Sequence, residues 1–497
     1  IKCNTPAVGQ CYAIEIDQQS PYRIYAGFQD NGTWVGPSDH EESPGWVATG
    51  HYAWESIGGG DGMQVEVDPR NTEVVITGYQ FGNYTRQDRA GGESRDLRPM
   101  HALSEPPLRW NWQTPVALSK HQPDILYLCS NKVHRSLDQG TTWETLSPDL
   151  TRGGRPGNVP YGTITAFHES PLRFGQLAVG TDDGRLHISR DGGYTWVECP
   201  LPVPQSPPHR TLWVTEVLWD AHHRDRLYVA LNGYRLDHFE AYVFSTEDDG
   251  RSWSRLFAEL PPEPVNALAQ PPTAGAGGWL FVGTDNGLYA SMDGGRSAFV
   301  ASLELPRVAV HDLAFHPTTM ELVIGTHGRS VYVLDASPAM VPAERLAAGN
   351  PEGPVAGVLP EVKHREDWGE PRWDGTFGDL PEVKWELYSP ETRYLSWEFI
   401  DAAGEVVFRH GATVARGWQR VALPLSWPVA QGGASPEADG VAVSAVVRPE
   451  DLPHRSVRRF LTPGTYTIRG TFSEIRWQVD LNPEVMYEGT LVVKAKE

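Results

Sequence analysis

Acidic and amide side chains collect at sharp turns along this chain, in a pattern that could bring carboxylates together. Asp30-Asn31-Gly32, Asp182-Asp183-Gly184 and Asp285-Asn286-Gly287 share one form, and His327-Gly328-Arg329 replaces it with two ionisable groups. Asp61 sits among four glycines, Gly58, Gly59, Gly60 and Gly62. Glycoside hydrolysis needs two carboxyl groups flanking the scissile bond, about 5 Å apart for retention or roughly 6.5–9.5 Å for inversion. Asp61 with Asp182, Asp183 or Asp30 is the candidate set. A glycine-rich loop lets a ligand approach the backbone, although close packing of the chain on itself demands glycine equally. The Asp/Asn-Gly turns also have a structural reading, since Asp and Asn tolerate positive φ in hairpins.

The elements that must position these residues are marked by a second pattern. Ser/Thr-x-Asp-x-Gly-x-Ser/Thr-Trp occurs at 136–143, 189–196 and 246–253, with a degenerate copy at 291–297 followed by Ala298-Phe299. Its aspartates, Asp138, Asp191, Asp248 and Asp293, recur every roughly 45 to 57 residues, the period of a supersecondary unit repeated as a propeller blade. Within the pattern, Asp and Ser/Thr bond turn amides, glycine permits left-handed backbone, and Trp packs between sheets. Those four aspartates are therefore expected to be structural.

Extending the repeat outward predicts seven units, opening near Tyr12, Met63, Pro115, Thr163, Val214, Val265 and Val310. Second strands such as Ile24-Tyr25-Ala26-Gly27 and Leu227-Tyr228-Val229-Ala230 are short, β-branched or aromatic in part, and bounded by turn formers. The expected fold is all-β: a seven-bladed β-propeller over 1–335, a Pro/Gly/Trp-rich linker over 336–385, and an immunoglobulin- or fibronectin-like β-sandwich over 386–497. Strands of the sandwich are predicted near 394–400, 406–409, 419–423, 441–447, 465–471 and 489–494. The seventh blade lacks an evident fourth strand; residues 2–8, or else a segment upstream, are expected to close the ring.

Composition narrows the partners. Fifty glycines, 41 prolines and 18 tryptophans suit short strands joined by tight turns. A net charge of -21 argues against nucleic acid and anionic membrane surfaces. No apolar run approaches the roughly 18 residues of a membrane span. The chain begins at Ile1, as expected of a processed form or a fragment. Cys3, Cys11, Cys129 and Cys199 are too scattered for a disulfide framework or zinc site; Cys3–Cys11 could form one bridge, or the thiols stay reduced and buried.

The motifs Tyr25-Ala26-Gly27-Phe28-Gln29-Asp30-Asn31-Gly32-Thr33-Trp34, Gly58-Gly59-Gly60-Asp61-Gly62 and Arg109-Trp110-Asn111-Trp112-Gln113-Thr114-Pro115 extend the pattern. With Gly180-Thr181-Asp182-Asp183-Gly184 and Gly325-Thr326-His327-Gly328-Arg329-Ser330, the chain resembles the secreted bacterial Asp-box proteins with sortilin-like repeats, often labelled glycosyl hydrolases. The likeness spans about 10–335, more loosely 361–497. It implies a secreted or cell-surface location, with the periplasm as the alternative, and a C-terminal portion of a protein with an Asp-box half upstream. It supplies no catalytic motif to transfer. A sialidase-type Arg-Ile-Pro opening is missing, since Tyr22-Arg23-Ile24-Tyr25 is only superficially similar.

Propeller geometry sorts the loops. Turns between second and third strands share a face with the segments leading into each inner strand, and the Asp-boxes lie opposite. The first face gathers Asp30, Asn31, Asn83, Trp112, Asp285, His327 and Arg329 as ligand-binding candidates, with Asp61, Asp182 and Asp183 catalytic only if the protein is a hydrolase. Such a surface could hold a polysaccharide by stacking and hydrogen bonds, a peptide, or a hard cation such as calcium. The favoured expectation is a propeller that binds an extracellular polysaccharide or protein without catalysis. The alternatives are a glycoside hydrolase and a structural subunit assembled with other subunits at the cell surface.

Overall fold

The computed structural model describes residues 8–40, 52–204, 211–273, 278–301 and 305–336, and then 355–356, 359, 361–364, 381–389, 392–415, 417–428, 458–473 and 485–494. The chain divides into two compact units, Ile1–Ser337 and Pro338–Glu497. The described residues of both are strands and turns, with a single-turn 3-10 segment at Tyr234–Leu236.

The first unit is a succession of antiparallel sheets whose strand order follows chain order. Among the described residues six have four strands and the seventh has three, Ala309–Phe315, Glu321–His327 and Ser330–Asp335. Neighbouring sheets share apolar clusters. Tyr25, Val35, Val65 and Val75 join the first to the second, and Leu97, Trp110, Leu126 and Leu128 the second to the third. The same holds round to the sixth, where Phe281 meets Phe315 of the seventh edge-on at 5.2 Å. The seventh returns to the first: Val323 packs with Ile14 and Ile24, Asp312 Oδ2 accepts from the Ile14 amide at 2.8 Å, and Gln10 bridges His327. A closed ring of consecutive antiparallel sheets is a β-propeller.

Strand position in a sheet sets its composition. Second strands are covered on both faces by adjacent sheets, so Leu177–Thr181 and Leu227–Gly233 are buried throughout and read as continuous apolar runs. Fourth strands sit at the rim, and Glu144–Thr145 and Val197–Glu198 are two-residue exposed edges. Short exposed edges offer little for another chain to pair with.

All four repeated turns close in one way. Asp138 accepts the Ser136 hydroxyl, the Thr142 amide and the Thr142 hydroxyl at 2.7–2.8 Å, while Ser136 Oγ accepts the Gly140 amide at 2.6 Å. Asp191, Asp248 and Asp293 repeat this set with Ser189 and Thr195, Thr246 and Ser252, and Ser291 and Ser297. The Thr142 amide, with the two hydroxyls, holds the Asp138 carboxyl down at about 2. Gly193 (φ 93°) and Gly250 (φ 78°) take left-handed backbone, and a Cβ on either would meet the outer edge of the preceding sheet, Leu146 and Cys199 respectively, at 2.7 Å. Each turn is thus closed by its own aspartate and packed against the preceding sheet.

The fourth strand expected from residues 2–8 lies outside the described residues apart from Val8. Next to it, Gly9 O accepts from the Gly328 and Ser330 amides and Gly9 N donates to Ser330 Oγ. Cys3 also lies outside; Cys11 is a buried free thiol, as are Cys129 and Cys199.

The second unit has a three-stranded sheet, a five-stranded sheet and a two-stranded ribbon. Trp385, Leu387 and Leu423 from the first, and Leu395, Trp397, Phe399, Ile468 and Leu491 from the second, form one core. Strands at Arg393–Ile400, Val406–Val414, Gly417–Pro424, Gly464–Ser473 and Val485–Lys494 fall where strands were predicted; 441–447 lies outside the described residues. The segment read as linker differs from expectation. It contributes Val355–Ala356, Val362–Lys363 and the start of Glu382–Ser389 to these sheets, and Trp385 is fully buried in their core. Proline and glycine masked short strands whose burial depends on distant partners.

Candidate functional site

In five inner strands the pairing register slips at the same place: between Cys11 and Ala13, Ile164 and Ala166, Val214 and Glu216, Val265 and Ala267, and Val310 and Asp312. A bulge re-aims the side chain of its extra residue. The five extra residues, Tyr12, Thr165, Thr215, Asn266 and His311, all line one cavity of about 900 Å³ between the inner strands. Thr165 and Thr215 also donate to carbonyls of the next sheet, Val214 O at 2.7 Å and Val265 O at 2.9 Å. A regular strand would have sent these side chains elsewhere.

The cavity wall combines aromatic rings with neutral amides. Tyr12, Trp112, Tyr161, Trp213 and Tyr234 supply rings; Gln29, Gln64, Asn158 and Asn232 supply amides. Phe81 supports Trp112 edge-on at 5.2 Å. Asn232 donates to Asn266 Oδ1 at 2.8 Å and Asn266 to Asp285 Oδ1 at 2.9 Å, so one amide relay links the fifth and sixth sheets. The Arg235 guanidinium lies 3.8 Å from the Trp213 ring centre and 4.4 Å from that of Tyr234. His311 and His327 stack with centroids 4.5 Å apart, and buried His327 Nδ1 meets no partner among the described residues. Burial pushes both imidazoles below their ordinary value, His311 to about 4 with help from its neighbour's charge. Both shifts favour the neutral imidazole. Deeper in, burial pushes Asp312 up to about 7 against the pull of the Ile14 and Leu313 amides, and raises Glu216 as well.

The expected site residues separate into two groups. Trp112, Asp285 and His327 line the cavity. Asp30, Asn31, Asn83 and Arg329 occupy turns and are not among its lining. Asp30 holds φ 58° and Asn31 is exposed, donating to Gln29 O at 2.9 Å; Asn83 donates to Gln80 O at 2.7 Å; Arg329 is exposed.

The three catalytic candidates are also outside it, and their oxygens are engaged by the protein. Asp61 is 5% exposed and accepts from the Asp30 amide at 2.7 Å and Gln80 Nε2 at 2.8 Å. Asp182 accepts from the Gly162 and Thr163 amides and the Thr163 hydroxyl, and burial leaves its carboxyl above the ordinary range. Asp183 accepts from the Thr181 hydroxyl and the Arg152 amide. All three tie strand openings to neighbouring turns. Replacing Asp61 with Ala should therefore cost about 2–4 kcal/mol, because two donors lose their acceptor at a buried joint. Urea unfolding checks this; an unchanged midpoint would remove the joint.

Among the described residues no three His, Cys, Asp or Glu side chains come close enough to hold a metal ion. Tyr161 and Trp213 escaped the sequence reading altogether. Trp213 lies beside the bulge of its strand, and a count of bulge positions across the repeat was the one signal that could have found it.

Ring, channel and cavity define a β-propeller with a ligand-sized recess at its axis. No protein-family model and no curated protein matches the chain in sequence. Solved structures similar to it include a GH74 xyloglucanase from Xanthomonas campestris, 16% identical with a TM-score of 0.47, over 66% of this chain and 52% of that one. The GH74 enzyme of Niastella koreensis is 11% identical, TM-score 0.47, over 95% and 72%. YCF48 from Cyanidioschyzon merolae is 11% identical, TM-score 0.45, over 66% and 96%. The chain thus spans about half the length of the xyloglucanase.

Proposed function

We propose that the first unit is a seven-bladed Asp-box propeller that holds an extracellular polysaccharide in the axial cavity without cleaving it. The observation that carries this is the cavity wall, where Tyr12, Trp112, Tyr161, Trp213 and Tyr234 alternate with side-chain amides. A sugar ring presents C–H faces to aromatic rings and hydroxyls to amides, and a few placed polar groups then fix its orientation. Binding is favoured over hydrolysis because Asp61, Asp182 and Asp183 spend their oxygens on backbone amides and side-chain donors of the protein itself. A general acid or nucleophile must instead reach the glycosidic bond.

The domain reading is propeller over 1–335, followed by an immunoglobulin- or fibronectin-like sandwich that takes in strands of the segment expected to be linker. The Tyr466 hydroxyl donates to Thr462 O at 2.9 Å, four residues upstream, a contact typical of such sandwiches. An acidic, carbohydrate-holding protein of this form belongs outside the cell, at the surface or in the periplasm, with an upstream half or other subunits as neighbours.

A panel of immobilised polysaccharides, scored for retention and for released reducing ends, tests the reading. Retention without release is expected, and Trp213→Ala should weaken it about tenfold at an unchanged melting temperature. Released reducing ends would convert the protein to a hydrolase. Silence across the panel, with retention of a peptide, would move the cavity to a protein ligand.

A further inference from the structure

Arg235 differs from several arginines of the first unit in what its guanidinium meets. Arg23, Arg70, Arg109, Arg185, Arg190 and Arg226 each meet a carboxylate. Arg235 meets none within 4.0 Å among the described residues, in a chain that carries 63 acidic against 42 basic side chains. Its guanidinium is held instead against Trp213 and Tyr234, with its N–H edge uncommitted. Cation–π contact fixes a guanidinium's plane while leaving all five donors in the fork for an acceptor. Its position follows from the chain: the strand Leu227–Gly233 ends in a 3-10 turn at Tyr234–Leu236, and left-handed Asp237 (φ 54°) turns the backbone back. That turn delivers Tyr234 and Arg235 to the cavity wall.

Two of the cavity's acids, Glu216 and Asp312, are pushed toward their neutral forms by burial, while Asp285 accepts from Asn266. Burial also pulls the Arg235 pKa down, an effect that the charge of Asp182, out of ion-pair reach, offsets only in part. A bidentate acceptor on the ligand would supply an ion-pair partner, and guanidinium matches a carboxylate or sulfate in that geometry.

We infer that the cavity selects an anionic polysaccharide, one whose sugar carries a carboxylate or sulfate ester, and that Arg235 is the residue that reads that group. This rests on the polysaccharide-binding reading above. The amides and rings would hold the sugar body and Arg235 its charge.

The test uses the full chain with three immobilised polymers: polygalacturonate, the same polymer after carboxyl reduction, and a sulfated galactan. At least one acidic polymer should be retained about tenfold more tightly than the reduced one, with the preference falling as salt rises. Arg235→Met should erase the preference while leaving the melting temperature unchanged. Arg235→Lys should restore only part of it, because an ammonium cannot make the fork. Retention of the sulfated polymer alone supports the inference and names sulfate; retention of polygalacturonate alone names carboxylate. Equal retention of charged and reduced polymer, or an unaltered preference in Arg235→Met, overturns it and leaves polysaccharide binding standing. A protein that retains no polysaccharide on any matrix overturns both.

Discussion

Asp220→Ala should cost about 4 kcal/mol, the loss typical of breaking one side of a buried charged network. Asp220 is fully buried at the end of the strand Trp213–Trp219. One carboxylate oxygen accepts from the His222 amide at 2.7 Å and the His223 amide at 2.9 Å; the other accepts from the Tyr228 hydroxyl at 2.7 Å and Arg226 at 3.3 Å. Gln270 of the next sheet reaches the same oxygen at 3.4 Å and accepts from the Ala221 amide at 3.0 Å. Removing the carboxylate strands a phenol, two amides and a guanidinium at once. Burial alone would raise this carboxyl, but the phenol and the two amides outweigh it and the net shift is down. A folded-state pKa below the unfolded one adds stability that is fully present above about pH 4 and lost as pH falls through the folded value. The gap between wild type and Asp220→Asn in urea midpoints should therefore narrow as pH drops from about 5 toward 2. A gap constant across that window would mean that Asp220 acts through packing and hydrogen bonds, not charge.

Gly27→Ala and Gly62→Ala should each destabilise by about 3 kcal/mol, the upper end of ordinary overpacking, while Gly59→Ala should change stability by less than about 0.5 kcal/mol. A Cβ on Gly27 would overlap the Met63 carbonyl oxygen and sit 2.6 Å from the Gly62 carbonyl carbon; one on Gly62 would overlap the Gly32 carbonyl. These obstacles are backbone and cannot rotate away. Around Gly59 nothing lies within 4 Å of the added carbon. Three substitutions in one neighbourhood thus separate two uses of a glycine-rich loop. If the loop exists to seat the second sheet on the first, thermal midpoints fall for Gly27 and Gly62 only. If it exists to admit a ligand, all three variants should fold normally and lose retention together.

That loop illustrates how far the residues alone could be read. Four glycines around Asp61 announced a close approach to backbone, but not whose. The answer is the chain itself, because Asp30 and Gln80 arrive from either side to satisfy the carboxylate. Asp182 and Asp183 followed the same course. Trp112, Asp285 and His327 were found because loop position in a repeat can be counted. Trp213 was not, because its place depends on a bulge that leaves no clear mark in composition.

The order of strands and turns, and the clamp made by each Ser/Thr-x-Asp-x-Gly-x-Ser/Thr-Trp turn, were determined by local sequence. Their hydrogen bonds close within a few residues, so the pattern contains both partners. Which carboxylates stay available to a ligand was decided only by the tertiary structure. Occupancy of an oxygen depends on donors from neighbouring sheets, such as the Asp30 amide on Asp61 and the Arg152 amide on Asp183, and on a register slip that turns Asn266 and His311 toward the axis. Those are properties of the closed ring, where residues far apart in sequence become the only solvent a buried charge has.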